Sequence, residues 1–184
     1  AARPAGAWYQ RWDHGPAVAT SISIPQREPV LKGQVIRLGD DSGDYVAFDT
    51  EMLSLTAAWN GSLAFKGTPW DGAHGGNPAA VGAILFSSAP GPGWAHAGSF
   101  ADPRVPKWGP LPRDWAKYRG QFRHGDRVVL HYTVGGATVY ESPLSETSAG
   151  VSAVTRTIEI PATEEELLLR VVHSPGRAVN QAGA

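Results

Sequence analysis

The stretch that decides the fold is residues 127–141, which read RVVLHYTVGGATVYE. Its first half alternates apolar with other residues at a period of two, which is typical of a β-strand with one buried face. Gly135-Gly136 then supplies a two-residue connection suited to a tight β-turn, and a second β-favouring run follows. The stretch therefore predicts an antiparallel β-hairpin. The side chains expected on the buried face of its first strand are Val128, Leu130, Tyr132 and Val134.

Short runs of this kind recur along the chain, separated by Gly, Pro, Asp and Asn. Asn60-Gly61 gives a second hairpin signal between two such runs. Helix signals are weak: residues 112–118 could form about two turns, and residues 162–169 continue into an apolar run that fits a last strand better. The predicted strands are residues 18–24, 30–38, 44–49, 53–59, 62–66, 81–86, 127–134, 138–141, 154–160 and 167–172.

This series of strands predicts an all-β fold, an antiparallel β-sandwich of jelly-roll-like type. The composition agrees, because 22 Gly and 15 Pro among 184 residues suit a turn-rich β protein. We expect one domain over residues 1–184. Its special parts are an N-terminal arm at 1–15, a loop excursion rich in Pro, Gly and Trp at 69–112, and a tail at 174–184.

Charge and composition exclude several functions. The formal net charge is −1, so no overall field draws the chain to nucleic acid, and we expect no nucleic-acid partner. The absence of Cys excludes disulfides, thiolate metal sites and covalent haem attachment within this chain. No apolar run is long enough to form a transmembrane helix. The sequence starts with Ala1-Ala2, the kind of small residues that remain after cleavage of an export signal. This start predicts a periplasmic or extracellular location.

The loop excursion at 69–112 holds the first candidate site, because irregular loops of this length in a compact domain are usually functional. Asp71 and His74 lie three apart on a Gly-rich stretch and could act as acid and base or as two metal ligands. The favoured interpretation is structural, with Asp71 capping a turn and His74 bonding to backbone. Candidate interface anchors or sugar platforms in the excursion are Trp70, Trp94 and Trp108.

Carboxylates cluster at residues 40–44, with Asp49 and Glu51 nearby, and such clusters suggest Ca²⁺. The EF-hand register is absent, so a solvated turn capped by Asp is the favoured interpretation and calcium stays the alternative.

Basic and aromatic residues interleave over residues 102–126, a pattern that suits cation–π contacts or an anionic glycan. The favoured interpretation is structural: Arg104 pairs with Asp102 and Arg113 with Asp114, and these pairs clamp a proline-rich loop onto the sheet. The candidates in this segment are Arg104, Trp108, Arg113, Trp115 and His124.

Several short strings occur in order along the chain: KGQVIRLG at 32–39, FDT at 48–50, WDGAHG at 70–75, PGWA at 92–95, DPR at 102–104, GPLPRDW at 109–115, HGDRVVL at 124–130 and TRTI at 155–158. Together they resemble an uncharacterised domain at the N-terminal end of large secreted bacterial proteins, many of which also carry a c-type cytochrome domain. The resemblance spans residues 8–172. It implies export and a neighbourhood of redox proteins, and it implies no catalytic residue. The 184 residues contain no Cys-x-x-Cys-His motif of the cytochrome part, so they are either a stand-alone version or an excised piece.

Three functions follow as hypotheses, and the first is preferred. The first is a non-catalytic exported docking subunit whose protein partner is a c-type cytochrome or a membrane-bound redox complex, and exposed apolar surface on the Trp-rich loops would favour it. The second is a carbohydrate-binding module of a secreted glycan-processing system, which requires a coplanar, exposed aromatic pair beside Asp or Arg. The third is an enzyme centred on Asp71 and His74, which requires Arg104, Arg113 or His124 to converge on them.

Overall fold

Two antiparallel sheets make up the fold in a computed structural model that describes residues 12–39, 43–66, 76–148, 151–163 and 166–172. These ranges contain no helix. The strands are β1 (Ala17–Ile22), β2 (Val30–Leu38), β3 (Asp44–Asp49), β4 (Ser54–Ala64), β5 (Ala79–Ser87), β6 (Ala116–His124), β7 (Arg127–Val134), β8 (Ala137–Ser148) and β9 (Val151–Glu159). Strands β1 to β5 form the first sheet in chain order, and β6 to β9 form the second.

The predicted all-β antiparallel architecture is confirmed. Each strand pairs with its neighbour in sequence, so both sheets are meanders and their order is simpler than the crossing order of a jelly roll. The predicted strands at 30–38, 44–49 and 127–134 begin and end as expected. The hairpin at Gly135-Gly136 is also confirmed, because Val134 and Ala137 pair directly across it.

The main core lies between the two sheets and is built by alternation along the strands. The side chains predicted for the inner face of β7 are all buried, and they meet residues of β2, β3 and β4. The rings of Phe48 on β3 and Tyr132 on β7 lie 5.7 Å apart, and both side chains are fully buried. Burial of a side chain of this size stabilises the fold by about 1.5–3 kcal/mol.

A second apolar cluster fills the opposite face of the first sheet, which curls upon itself. Tyr45 and Trp59 stack at the centre of this cluster, with ring centroids 5.3 Å apart. The curl brings the two outer strands together: the Ser23 amide donates to the Pro78 carbonyl at 2.8 Å, and the Ala80 amide donates to the Ser23 carbonyl at 3.0 Å. The first sheet therefore buries both of its faces.

The predicted hairpin at Asn60-Gly61 is wrong, because β4 continues through both residues. Gly61 pairs with Gly82 of β5, and the two backbones approach so closely that a Cβ on Gly61 would lie 2.1 Å from the Val81 carbonyl oxygen. The glycine therefore serves close strand packing instead of a turn.

Two other local predictions fail. Residues 112–118 form a single turn, in which the Ala116 amide donates to the Pro112 carbonyl at 2.9 Å, and β6 then begins. Residues 167–172 form no extended strand and make only an isolated bridge from Leu169 to Trp94. No helix in the described ranges is long and apolar enough to cross a membrane.

Candidate functional site

The structure separates the predicted site residues. Trp70, Asp71 and His74 lie outside the described residues. Trp94 is 2% exposed, and its ring meets the edge of Tyr132 in the main core, so Trp94 serves packing instead of an exposed interface.

Three further candidates contact different surroundings. Trp115 is half-buried, and its ring lies 4.7 Å from the ring of His96. Arg113 lines a cavity beside Pro110 and Tyr118, and it forms no ion pair with Asp114 in the described part of the chain. His124 is exposed at the end of β6.

Arg104 and Trp108 are the two candidates that the fold brings together, on a loop of residues 102–109 that we call the clamped loop. The Arg104 guanidinium donates from Nε to Asp102 Oδ1 and from Nη2 to Asp102 Oδ2, both at 2.9 Å. It also donates to the Gly109 carbonyl oxygen, so one side chain ties both ends of the loop. This geometry confirms the predicted pairing of Arg104 with Asp102. The Arg104 hydrogen bond lowers the pKa of the Asp102 carboxyl.

The clamped loop presents two apolar side chains to solvent. Val105 is 95% exposed and Trp108 is 74% exposed. An exposed Trp on a loop fixed at both ends loses little conformational freedom when it contacts a ligand or a partner.

The connection between β3 and β4 faces the clamped loop and is fixed by Asp49. Its Oδ1 atom accepts hydrogen bonds from the backbone amides of Glu51 at 2.9 Å and Met52 at 3.1 Å. Its Oδ2 atom makes no hydrogen bond to any described residue. Burial raises the pKa of the Asp49 carboxyl, and these two backbone bonds only partly oppose that effect.

Backbone hydrogen bonds hold this connection against the irregular segment that follows β5. The Leu111 amide donates to the Glu51 carbonyl at 3.0 Å, and the Gly93 amide donates to the Met52 carbonyl at 2.9 Å. A Cβ on Gly93 would lie 2.1 Å from the Leu53 carbonyl oxygen, so this contact needs glycine. The clamped loop is thereby placed next to Asp49, although the two are more than fifty residues apart in sequence.

A cleft of about 360 Å³ opens between these parts and the loop that joins β1 to β2. Its wall includes Arg27, whose Nη1 atom donates to the carbonyl oxygens of Thr56 at 3.1 Å and Ser88 at 3.0 Å. Carboxylates and cations nearly balance in the lining: the carboxylates are Glu28, Asp49, Glu51 and Asp102, and the cations are Arg27, Arg104 and Lys107.

The structure does not bring together the carboxylates that suggested a calcium site at residues 40–44. Asp44 and Asp49 lie at opposite ends of β3. The Asp44 side chain is buried, and its two oxygens accept hydrogen bonds from Asn60 Nδ2 and the Ser145 hydroxyl. The part of the chain that the structure describes contains no group of three or more His, Asp or Glu residues that could hold a metal ion. Residues 40–42 lie outside the described ranges.

Reasoning from sequence assigned no binding role to Arg27 and considered Asp49 only as a calcium ligand. The string FDT at 48–50 offered a signal for Asp49, because an Asp at the end of a buried strand often accepts hydrogen bonds from the amides of the next turn. No local pattern linked Asp49 to Trp108.

Fold and cleft together define an all-β domain of two antiparallel sheets with a cleft on its surface. The chain belongs to a family described as a domain of unknown function, DUF6797, whose model matches residues 46–141. The matched span includes Asp49, Arg104 and Trp108 and excludes Arg27. Neither the curated proteins nor the solved structures contain a match to this chain.

Proposed function

We propose that this domain is a non-catalytic docking module of an exported protein, and that the clamped loop is its contact element. The observation that carries the proposal is the fixed presentation of Trp108, 74% exposed, on a loop closed by Arg104. Trp is among the residues that contribute most to binding free energy at protein interfaces, above all where the contact is ordered before binding. Val105 extends the same apolar surface.

The proposed partner is a c-type cytochrome or another redox protein of the exported compartment. The support for this partner and for export is the resemblance of the ordered strings along the chain, and it is independent of the geometry of the clamped loop. The enzyme hypothesis gains no support, because Asp71 and His74 lie outside the described residues, and Arg104 and Arg113 line different clefts.

The test uses tagged protein isolated from its native source under mild conditions. Three forms are compared: the unchanged chain, Trp108→Ala, and Phe122→Ala as a control. Phe122 is 55% exposed on the second sheet, so its truncation removes a comparable exposed ring elsewhere. Haem absorbance and mass spectrometry report what accompanies each form.

We expect the unchanged chain and Phe122→Ala to retain a haem protein at fixed stoichiometry. Trp108→Ala should lose it, with affinity reduced at least about 30-fold, the effect of an interface hot spot. Its melting temperature should stay unchanged, because the ring is exposed. A haem-free monomer, or a haem protein that Trp108→Ala retains fully, would overturn the proposal.

Carbohydrate binding is the second candidate, and one observation favours it. Trp108 borders a cleft that also holds the carboxylates of Asp49 and Glu51. An extended sugar chain needs a coplanar aromatic pair, whereas His131 of the second sheet stacks face to face with Phe122 on one side and with Tyr140 on the other. Trp108 alone offers one stacking surface at the cleft, which suits a ligand shorter than an extended sugar chain.

A further inference from the structure

We propose that the cleft beside Trp108 binds an uncharged sugar of one or two rings, with Asp49 as the fixed hydrogen-bond acceptor and the Trp108 ring as the stacking surface. The inference rests on the proposed binding role of the clamped loop and names the chemical class of ligand that enters beside it. The cleft, of about 360 Å³, lies at the small end of the range for ligand pockets, which suits one or two rings.

Asp49 provides the first argument, because its carboxylate is held in place before any ligand arrives. Two backbone amides fix Oδ1, and no described residue bonds to Oδ2. A carboxylate held in this way can accept a hydroxyl hydrogen bond without paying for reorientation of its side chain. Because burial already raises the pKa of this carboxyl, a hydroxyl donor would also replace hydration that the fold has removed.

The charge balance of the cleft provides the second argument. Its lining carries four carboxylates and three cations. Arg104 is committed to Asp102 and Gly109, and Arg27 donates to backbone carbonyls. A ligand with a large net charge would gain little from a lining so nearly neutral. A polyol gains more, because each hydroxyl both donates and accepts hydrogen bonds.

Trp108 provides the third argument. An indole ring combines a large apolar face with a polar edge, and the apolar face of a sugar ring packs well against it. The Arg104 clamp keeps the loop that carries this ring in place, and Leu31 adds apolar surface on the cleft wall. Stacking surface and hydrogen-bond acceptor therefore line the same small space, as recognition of a sugar ring requires.

The test is titration of the ¹⁵N-labelled domain with defined sugars at millimolar concentrations, followed by NMR of the Trp108 indole signal and the Glu51 and Met52 amides. The probes are glucose, galactose, mannose, xylose, fucose and cellobiose, with glucuronate as the charged comparison. The Trp108 signal is assigned with Trp108→Phe. Two variants complete the set: Asp49→Asn, which keeps an oxygen acceptor for the turn, and Asp126→Asn, which removes an exposed carboxylate in the β6–β7 turn.

We expect at least one neutral sugar to shift all three signals. Asp49→Asn should weaken that binding at least about tenfold, as loss of a hydrogen bond to a charged group does, and Asp126→Asn should leave it unchanged. Three results overturn the inference: no neutral sugar shifts Trp108, only glucuronate does, or Asp49→Asn binds as well as the unchanged chain. If a haem protein is still retained through Trp108 while the sugars fail, the docking proposal stands and the sugar site falls.

Discussion

Glu141 is a fully buried carboxylate whose two oxygens bind two different side chains. Oε1 accepts from Arg156 Nε at 2.7 Å, and Oε2 accepts from the Tyr132 hydroxyl at 2.7 Å. The Arg156 Nη1 and Nη2 atoms are buried and have no hydrogen-bond partner in the described structure. Burial, together with the Glu141 carboxylate, raises the pKa of Tyr132 and keeps its hydroxyl protonated. The interior of the second sheet therefore depends on this one carboxylate.

Glu141→Ala should lower the free energy of unfolding by about 3–5 kcal/mol, because it leaves the Arg156 charge buried without its partner. Urea denaturation measures the change. The double variant Glu141→Leu/Arg156→Met replaces the pair with apolar side chains, and it should recover most of the loss. Equal stability of the single variant and the unchanged chain would show that Glu141 does not hold Arg156.

Asp49 and Asp102 line the same cleft, and their pKa values move in opposite directions from the ordinary value of 3.8. Burial raises the pKa of Asp49, because the fold favours the protonated carboxyl over the charged one. The contribution of Asp49 to the free energy of unfolding is therefore complete below pH 3.8, and it is lost as pH rises through the folded pKa. The Arg104 hydrogen bond lowers the pKa of Asp102. Its contribution is present above pH 3.8 and is lost as pH falls through the folded pKa.

At pH 7, Asp49→Asn should therefore raise the free energy of unfolding, and Asp102→Asn should lower it. Both substitutions keep the size and one acceptor oxygen of the side chain. The difference between Asp49→Asn and the unchanged chain should vanish below pH 3.8, where the carboxyl is protonated in both the folded and the unfolded chain. Urea titrations across this pH range measure both effects, and destabilisation by Asp49→Asn at pH 7 would contradict the assigned cause.

At the scale of elements, the strands that could be predicted are those whose alternation is regular. Strand β7 has apolar side chains at every second position and ends at a Gly pair, so its bounds follow from sequence. Strand β6 was missed because a bulge between Tyr118 and Gly120 shifts its period, and because most of its side chains are polar and exposed. Strand β4 was divided in two because a glycine needed for close packing looks, in sequence, like a glycine needed for a turn.

The pairing of β4 with β5 through Gly61 and Gly82 can be tested directly. Gly61→Ala should destabilise the fold, because the added methyl meets the Val81 carbonyl oxygen at 2.1 Å. Gly120→Ala is the matched control: both glycines have left-handed φ values, 148° and 137°, but a Cβ on Gly120 meets nothing within 4 Å.

Gly120→Ala therefore measures backbone strain alone, at about 1–3 kcal/mol. Gly61→Ala should cost at least about 2 kcal/mol more, because overpacking is added to the strain. Thermal and urea unfolding of both variants measure the difference. Equal costs would mean that the close contact between β4 and β5 does not exist.

At the scale of the whole molecule, local sequence predicted the residues on one wall of the cleft and not those on the other. The pairing of Arg104 with Asp102, two residues apart, and the candidacy of Trp108 could be read from one segment. The other half comes from Asp49 and Arg27, which meet this segment only after the backbone bonds from Leu111 and Gly93 fix the β3–β4 connection beside it. Contacts of such long range leave no periodic trace in sequence, so the site could not be assembled before the fold.

Charge is also distributed unevenly over the molecule, although the sum is −1. Residues 28–71 carry seven acidic and three basic side chains, whereas residues 102–127 carry three acidic and seven basic ones. The first range supplies most of the first sheet, and the second supplies the clamped loop and β6. Arg119, Arg123 and Arg127 are exposed, and none of them forms an ion pair in the described structure. The β6–β7 hairpin therefore carries an excess of exposed positive charge, with Asp126 as the carboxylate in its turn.

The chain should consequently bind a sulfonate cation exchanger at pH 7 and low salt despite its negative net charge, because exposed charges act over a Debye length of about 10 Å. Arg119→Gln/Arg123→Gln/Arg127→Gln should elute at clearly lower salt. Lys32→Gln/Arg37→Gln/Lys66→Gln removes the same charge from the acidic half and should elute near the unchanged chain. Because both triple variants have equal net charge, co-elution would show that retention follows total charge and not the local positive excess on the hairpin.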